Sequence, residues 1–250
     1  MALGFAACGR ESAAPASPAA PRPSILLVTL DTTRADAIGP GAIGVETPAF
    51  NRLAARGRVF SQAYATVPET LPSHSSMMTG AYPGGHGVHE NARFLAATHP
   101  VAAEALKTAG YRTSAFVSSF VLARRFGLAR GFDGYDDELL GGRAERTSRE
   151  TTDRALAHLS QVPGQEPLFV WVHYFDPHAP YEPPEPYRSR YPKDPYRAEV
   201  AAMDEQLGRL VEAFEARVAA RGGTSAIVVA SDHGEGCLLY TSPSPRDRTR

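Results

Sequence analysis

Residues 25–31 read ILLVTLD, an unbroken run without a charged side chain until the closing aspartate. Such a run marks a strand buried on both faces, here with an acid at its carboxyl end. Similar runs occur at Thr113 to Val117, Leu168 to His173 (LFVWVH) and Ala226 to Ala230 (AIVVA), the last opening onto Ser231-Asp232-His233-Gly234-Glu235. Helical spacing fills the intervals. In Tyr196 to Ala220 the apolar residues Val200, Met203, Leu207, Leu210, Val211, Phe214 and Val218 recur at steps of three and four, giving one buried stripe. Pro48 to Arg56, His99 to Ala109 (closed by Gly110) and Thr147 to Leu159 are shorter candidates. Strands alternating with helices predict an α/β fold, a mostly parallel sheet sandwiched between helices. Ligands of such sheets bind beyond the carboxyl ends of the strands, which brings Asp31 and Asp232-His233 together.

The chain has 250 residues, 43% hydrophobic and 21% charged, which excludes collagen-like, coiled-coil and wholly disordered classes. A net charge of −1 gives no reason to expect nucleic acid. No apolar run approaches the ~20 residues of a membrane-spanning helix. Cys8 and Cys237 have no metal-ligand spacing. Residues 179–196 (APYEPPEPYRSRYPKDPY) are rich in proline and tyrosine and read as a long loop near the site.

Three segments carry candidate chemistry. The first is Asp31-Thr32-Thr33-Arg34-Ala35-Asp36, an acid at a strand mouth. The second, Thr70 to Gly80 (TLPSHSSMMTG), reads as a short helix with an N-cap threonine, an early proline and a terminal glycine, so that a hydroxyl faces backbone N–H groups suited to an anion. The third is Ser231 to Glu235, where adjacent carboxylate and imidazole suit one cation. Each also has a plain structural reading, as a turn cap, a helix cap and a solvated loop pair.

Taken together and in order, VTLDTTRAD (28–36), TPAFNRLAARGRVF (47–60), TLPSHSSMMTGAYPGGHGVHEN (70–91), AEALKTAGYRT (103–113), DPHAPYEPP (176–184) and SDHGE (231–235) resemble the sulfatase branch of the alkaline phosphatase superfamily. The resemblance covers residues 24–236 and implies an alkaline phosphatase-like fold whose C-terminal part is missing. It also implies one divalent metal ion held by Asp31, Asp232 and His233, with Thr70 as nucleophile and fourth ligand. Asn91 would donate to a non-bridging oxygen, His178 would stand beside the leaving group, and His74 would replace a basic residue that organises the nucleophile.

The sequence departs from authentic sulfatases at several points. Thr70 and His74 replace the cysteine or serine and the arginine of their C/S-x-P-x-R motif. Phe116-Val117-Ser118-Ser119 replaces a Gly-Lys-Trp-His segment. Thr32 stands where a second aspartate is usual, and His233 where asparagine is usual. Imidazole favours Zn or Mn over Ca. These departures favour a phosphodiester or phosphonate ester over a sulfate ester. The resemblance implies a small-molecule, glycan or lipid sulfate or phosphate ester as substrate. The alternatives are a non-catalytic anion-binding lipoprotein and an envelope phosphoryl-headgroup transferase.

Residues 3–9 (LGFAACG) resemble the end of a bacterial lipoprotein signal, with Cys8 as the lipid-bearing residue and residues 10–23 (RESAAPASPAAPRP) as a tether. Membrane contact is then expected only through that anchor, on a periplasmic or outer-membrane protein of the bacterial cell envelope. Residues 237–250 (CLLYTSPSPRDRTR) match translated transposon-end adapter DNA through Asp247. The expected organisation is therefore 1–23 signal remnant and linker, 24–236 the N-terminal part of a sulfatase-type catalytic domain, and 237–250 a non-native tail. A chain closing at Gly236 is expected to be poorly stable and inactive.

Overall fold

The computed structural model describes residues 22–235. The proposed lipid anchor at Cys8 and the tail at 237–250 lie outside the described residues. The order of elements is β1 (Ser24–Leu30), α1 (Pro48–Arg56), α2 (Thr70–Thr79), α3 (Pro83–His86), α4 (Ala102–Thr108), β2 (Arg112–Phe116), β3 (Gly134–Asp136), α5 (Ser148–Gln161), β4 (Leu168–Tyr174), α6 (Tyr187–Arg190), α7 (Pro195–Ala220) and β5 (Ser225–Ser231). The strands form one sheet in the order β3-β2-β4-β1-β5. Every pairing is parallel.

Residues of β1 and β4 alternate between the two faces. Leu26, Val28 and Leu30 join Leu168, Val170, Val172 and Tyr174 in one core, against Leu207, Leu210 and Phe214 of α7 and Ala155 and Leu159 of α5. The opposite face places Phe169 and Trp171 against Leu71 and Met78 of α2, Ala103 of α4 and the segment carrying Leu122, Phe126 and Leu128. Period two along the strand thus supplies both layers. Burial of this kind stabilises by roughly 25 cal/mol per Å² of apolar surface. Among the described residues no helix is long and apolar enough to cross a membrane.

Sequence and structure differ in several places. Glu69 is the N-cap of α2, so Thr70 is the first helical residue and not the cap. The stretch 179–196 is not all loop, because α6 forms within it and α7 starts at Pro195, behind an Asp194 side chain that accepts from Arg197 N–H. The short edge strand β3 carries no periodicity that would announce it.

Parallel register places the chemistry at one end. Thr29 pairs with His173 and Leu30 with Tyr174, while Leu30 also pairs with Ser231. The strands therefore run out together into Asp31, Asp232 and the residues that follow.

Candidate active site

Asp31 follows β1 and Asp232 follows β5, and both are fully buried. Their backbones extend the sheet: Asp31 N–H donates to Tyr174 C=O and Asp232 N–H to Leu30 C=O. Thr32 has φ of 48°, a left-handed conformation that is rare for a β-branched residue and costs of order 1–3 kcal/mol. Two contacts hold it there. Thr32 N–H donates to Asp232 Oδ1 (3.2 Å), and Tyr196 Oη donates to Thr32 C=O (3.0 Å). This sharp turn locks the two strand ends to each other.

The start of α2 delivers Thr70 to the same point. Its Oγ1 donates to Asp31 Oδ2 at 3.2 Å and lies 3.5 Å from His233 Nε2. Ser73 Oγ donates to Asp232 C=O at 2.7 Å, tying the helix to the β5 loop. Gly80, at φ 70°, ends the helix by donating to Ser76 C=O. The anion seat expected at the helix start is largely spent. Leu71 N–H is taken by Asn91 Oδ1 (2.9 Å), residue 72 is proline, and Ser73 N–H is bonded to Glu69 C=O. Asn91 is itself fixed, its N–H donating to Glu69 Oε2 at 2.8 Å. With Oδ1 committed, what Asn91 offers a substrate is the N–H pair of Nδ2.

His233 Nε2 lies 3.7 Å from Asp31 Oδ1 and 3.5 Å from Asp232 Oδ2. Its Nδ1 faces Gly234 C=O at 3.0 Å. A carbonyl only accepts, so Nδ1 carries the proton and the Nε2 lone pair points at the two carboxylates. Asp31 Oδ1 and Asp232 Oδ2 are buried without a hydrogen-bond partner. Burial, and then the charge of Asp31, push the Asp232 carboxyl well above its ordinary range. Burial also works to raise Asp31, which falls below its ordinary value only where the rings of His173, His233 and His178 carry positive charge, the charge a cation would supply while those rings stay neutral. Two adjacent buried carboxylates with orphaned oxygens require a proton or a cation between them. Asp31, Asp232 and His233 bring ligand atoms within 4.8 Å of one another. Two carboxylates, an imidazole and a hydroxyl fit a divalent cation.

His74 is fully buried, one turn along α2. Its Nδ1 donates to Thr70 C=O (2.7 Å), and its Nε2 accepts from Thr29 Oγ1 (2.9 Å), which in turn accepts from Trp171 Nε1–H (3.0 Å). Burial, and then the neighbouring His173, lower its pKa to about 3. His74 is thus a neutral brace beneath Thr70 rather than a cation. His178 is half-buried at the rim, where its Nδ1 donates to Ala179 C=O (2.6 Å) and its ring stacks on Phe175 at 4.4 Å. The structure brings Asp31, Thr70, Asp232 and His233 into one cluster, sets His74 and Asn91 against its helix, and leaves His178 at the margin.

The sequence reading missed His173. Its position as the last residue of an apolar run made it look like strand interior. Yet its Nε2 is buried without a partner and lies 3.4 Å from Asp31 Oδ2. The available signal was its alignment with Thr29, two residues before Asp31.

Comparison with known proteins agrees with this architecture. A solved structure of Ps i-CgsB in complex with k-i-k-neocarrahexaose superposes with a TM-score of 0.74 at 22% identity, covering 89% of this chain and 61% of the other. The phosphonate monoester hydrolase of Agrobacterium radiobacter gives 0.68 at 19% identity, covering 85% and 63%. An arylsulfatase of Clostridium perfringens is 36% identical over 67 residues, which is 26% of this chain and 14% of that protein. The chain thus spans less than two thirds of the length of its structural neighbours, and its alignment to the arylsulfatase covers a much smaller share. The sulfatase family model matches residues 23–246. The chain therefore belongs to the sulfatase family.

Proposed function

We propose that the protein is a metal-dependent ester hydrolase that uses the Thr70 hydroxyl as its nucleophile and prefers phosphodiesters or phosphonate esters to sulfate esters. The observation that carries this reading is the placement of Thr70 Oγ1, 3.2 Å from Asp31 Oδ2 and 3.5 Å from His233 Nε2. When bound, a divalent cation supplies the charge that neutralises the two carboxylates and makes a hydroxyl ionisable near neutral pH. Threonine cannot provide the aldehyde hydrate of authentic sulfatases, and this favours phosphorus over sulfur.

The chain's own groups divide the remaining work. Asp31 Oδ2 orients the Thr70 hydroxyl by accepting its hydrogen bond. In the first step the Thr70 hydroxyl, having lost its proton to solvent, bonds through Oγ to the central phosphorus or sulfur as the bond to the ester oxygen breaks. His178, whose Nδ1–H donates to Ala179 C=O, would serve as general acid in its doubly protonated form, giving the Nε2 proton to the leaving oxygen. Asn91 Nδ2–H is the donor for a non-bridging oxygen. Water then releases the transferred group from Thr70. Because Leu71, Pro72 and Ser73 have no N–H to spare, charge stabilisation depends on Asn91 and the cation more than on the helix end.

The test is a panel of aryl sulfate, phosphate monoester, phosphate diester and phosphonate ester substrates, assayed on the product of the complete gene with Zn or Mn. Faster diester or phosphonate turnover that Thr70→Ala abolishes supports the reading. Aryl sulfate as the best substrate contradicts the preference, and full turnover by Thr70→Ala contradicts the nucleophile.

A further inference from the structure

The geometry points to His173 Nε2 as a ligand of the same cation, alongside Asp31, Asp232, His233 and Thr70. This rests on the metal centre described above and extends it to a residue at the end of β4.

Two buried histidines lie side by side here, with ring centroids 5.0 Å apart. They differ in one respect. Both nitrogens of His74 are engaged, with Thr70 C=O and Thr29 Oγ1. In His173 only Nδ1 is engaged, 3.0 Å from Ser118 Oγ. The Ser118 hydroxyl proton is already committed to His173 C=O at 2.5 Å, so Ser118 Oγ can only accept from Nδ1–H. Nδ1 therefore holds the ring proton, and Nε2 carries a lone pair inside a sealed interior.

That lone pair faces Asp31 Oδ2 at 3.4 Å. Two lone pairs meeting in a buried space repel unless a cation or proton lies between them. His233 repeats the arrangement: its Nδ1–H is held by Gly234 C=O, and its Nε2 is 3.7 Å from Asp31 Oδ1. A pinned Nδ1–H with a free Nε2 is the usual posture of a metal-bound imidazole, in which the outer hydrogen bond sets the tautomer and aims the ring. Donor atoms bound about 2.1 Å from one centre lie roughly 3–4.2 Å apart. The separations of 3.2, 3.4, 3.5 and 3.7 Å among Thr70, His173, His233 and the two aspartates fall in that interval. His173 also brings a nitrogen within 4.8 Å of a carboxylate oxygen of Asp232. Two imidazoles on one cation bias the site toward Zn and away from Ca, which prefers oxygen.

Zn2+ and Co2+ binding to the metal-free chain tests this assignment, with affinity read by chelator competition and Co2+ coordination by visible absorption. The wild type should take one equivalent. His173→Gln should lower Zn2+ affinity by about 100-fold and alter the Co2+ spectrum while leaving Ca2+ affinity within about threefold. Ser118→Ala keeps the imidazole but frees its tautomer, and should cost about 10-fold. Far-UV circular dichroism establishes that each variant is folded. If folded His173→Gln keeps the wild-type Zn2+ affinity and Co2+ spectrum, His173 is not a ligand, whereas Asp232→Asn would still lose the metal. Two equivalents in the wild type, one of them lost in His173→Gln, would also overturn the single-cation assignment. If the wild type binds neither ion, the metal centre itself fails.

Discussion

Replacing Glu199 by glutamine should remove a pH-dependent loss of stability over a defined window. Glu199 lies on α7, is 5% exposed, and accepts from Glu182 N–H through Oε1 at 2.5 Å while Oε2 is buried without a partner. Burial, and then the charge of Asp176, raise its pKa from 4.5 to about 8. A carboxyl that resists ionisation only when folded contributes stability fully below the unfolded value, and that contribution decays until the folded value is passed. The contribution is therefore complete below pH 4.5 and gone above about pH 8. At 1.36 kcal/mol per unit, the loss across the window is at most about 5 kcal/mol. Glutamine keeps an acceptor for Glu182 and never ionises. Urea unfolding of both proteins from pH 5 to 9 measures the difference. Glu199→Gln should match the wild type within about 1 kcal/mol at pH 5 and exceed it by about 2–5 kcal/mol at pH 8.5. Parallel stability curves across the whole range would refute the reasoning, because they would mean Glu199 ionises as easily folded as unfolded.

Further outcomes follow from the site and core. Thr70→Ala should cut turnover at least ~10³-fold, while Thr70→Ser, which keeps a hydroxyl, should retain measurable activity in the same ester assay. Asp232→Asn removes a buried carboxylate beside Asp31, so it should raise the melting temperature of metal-free protein and abolish the further rise that Zn2+ gives the wild type. Phe214→Ala, at the centre of the α7 face, should cost about 3–5 kcal/mol in denaturant unfolding.

Much of the fold was legible because apolar runs and helical stripes are strong signals when both sheet faces are covered. ILLVTL and LFVWVH are β1 and β4, and the stripe from Val200 to Val218 is the buried face of α7. The rule that ligands lie beyond parallel strand ends placed Asp31 next to Asp232 across 200 residues. Other features follow from tertiary contacts that local pattern does not encode. β3 has three residues and owes its place to pairing with Ser114, Ala115 and Phe116. Threonine favours the cap position, whereas Glu69 occupies it with extended backbone and no side-chain capping bond. His173 is hidden in an apolar run, and its approach to Asp31 follows from strand register. His74 stands where the family pattern has a basic residue, and its complete burial between Thr70 C=O and Thr29 Oγ1 is a tertiary feature that favours the neutral ring.

The loop after β4 is held from several sides. Asp176 Oδ2 accepts from Ser148 N–H at 2.6 Å, Glu199 holds Glu182, and Tyr181 Oη donates to Glu235 in the loop that carries Asp232 and His233. The strand ends, the start of α2 and the rim bearing His178 are thus bound into one unit around the cluster.

Anomalous diffraction from crystals grown with Zn2+ or Mn2+ addresses the central claim most directly. The expected result is one peak bounded by Asp31, Asp232 and His233, with Thr70 Oγ1 at bonding distance. A peak elsewhere, or one at those ligands with the Thr70 hydroxyl turned away, would contradict it.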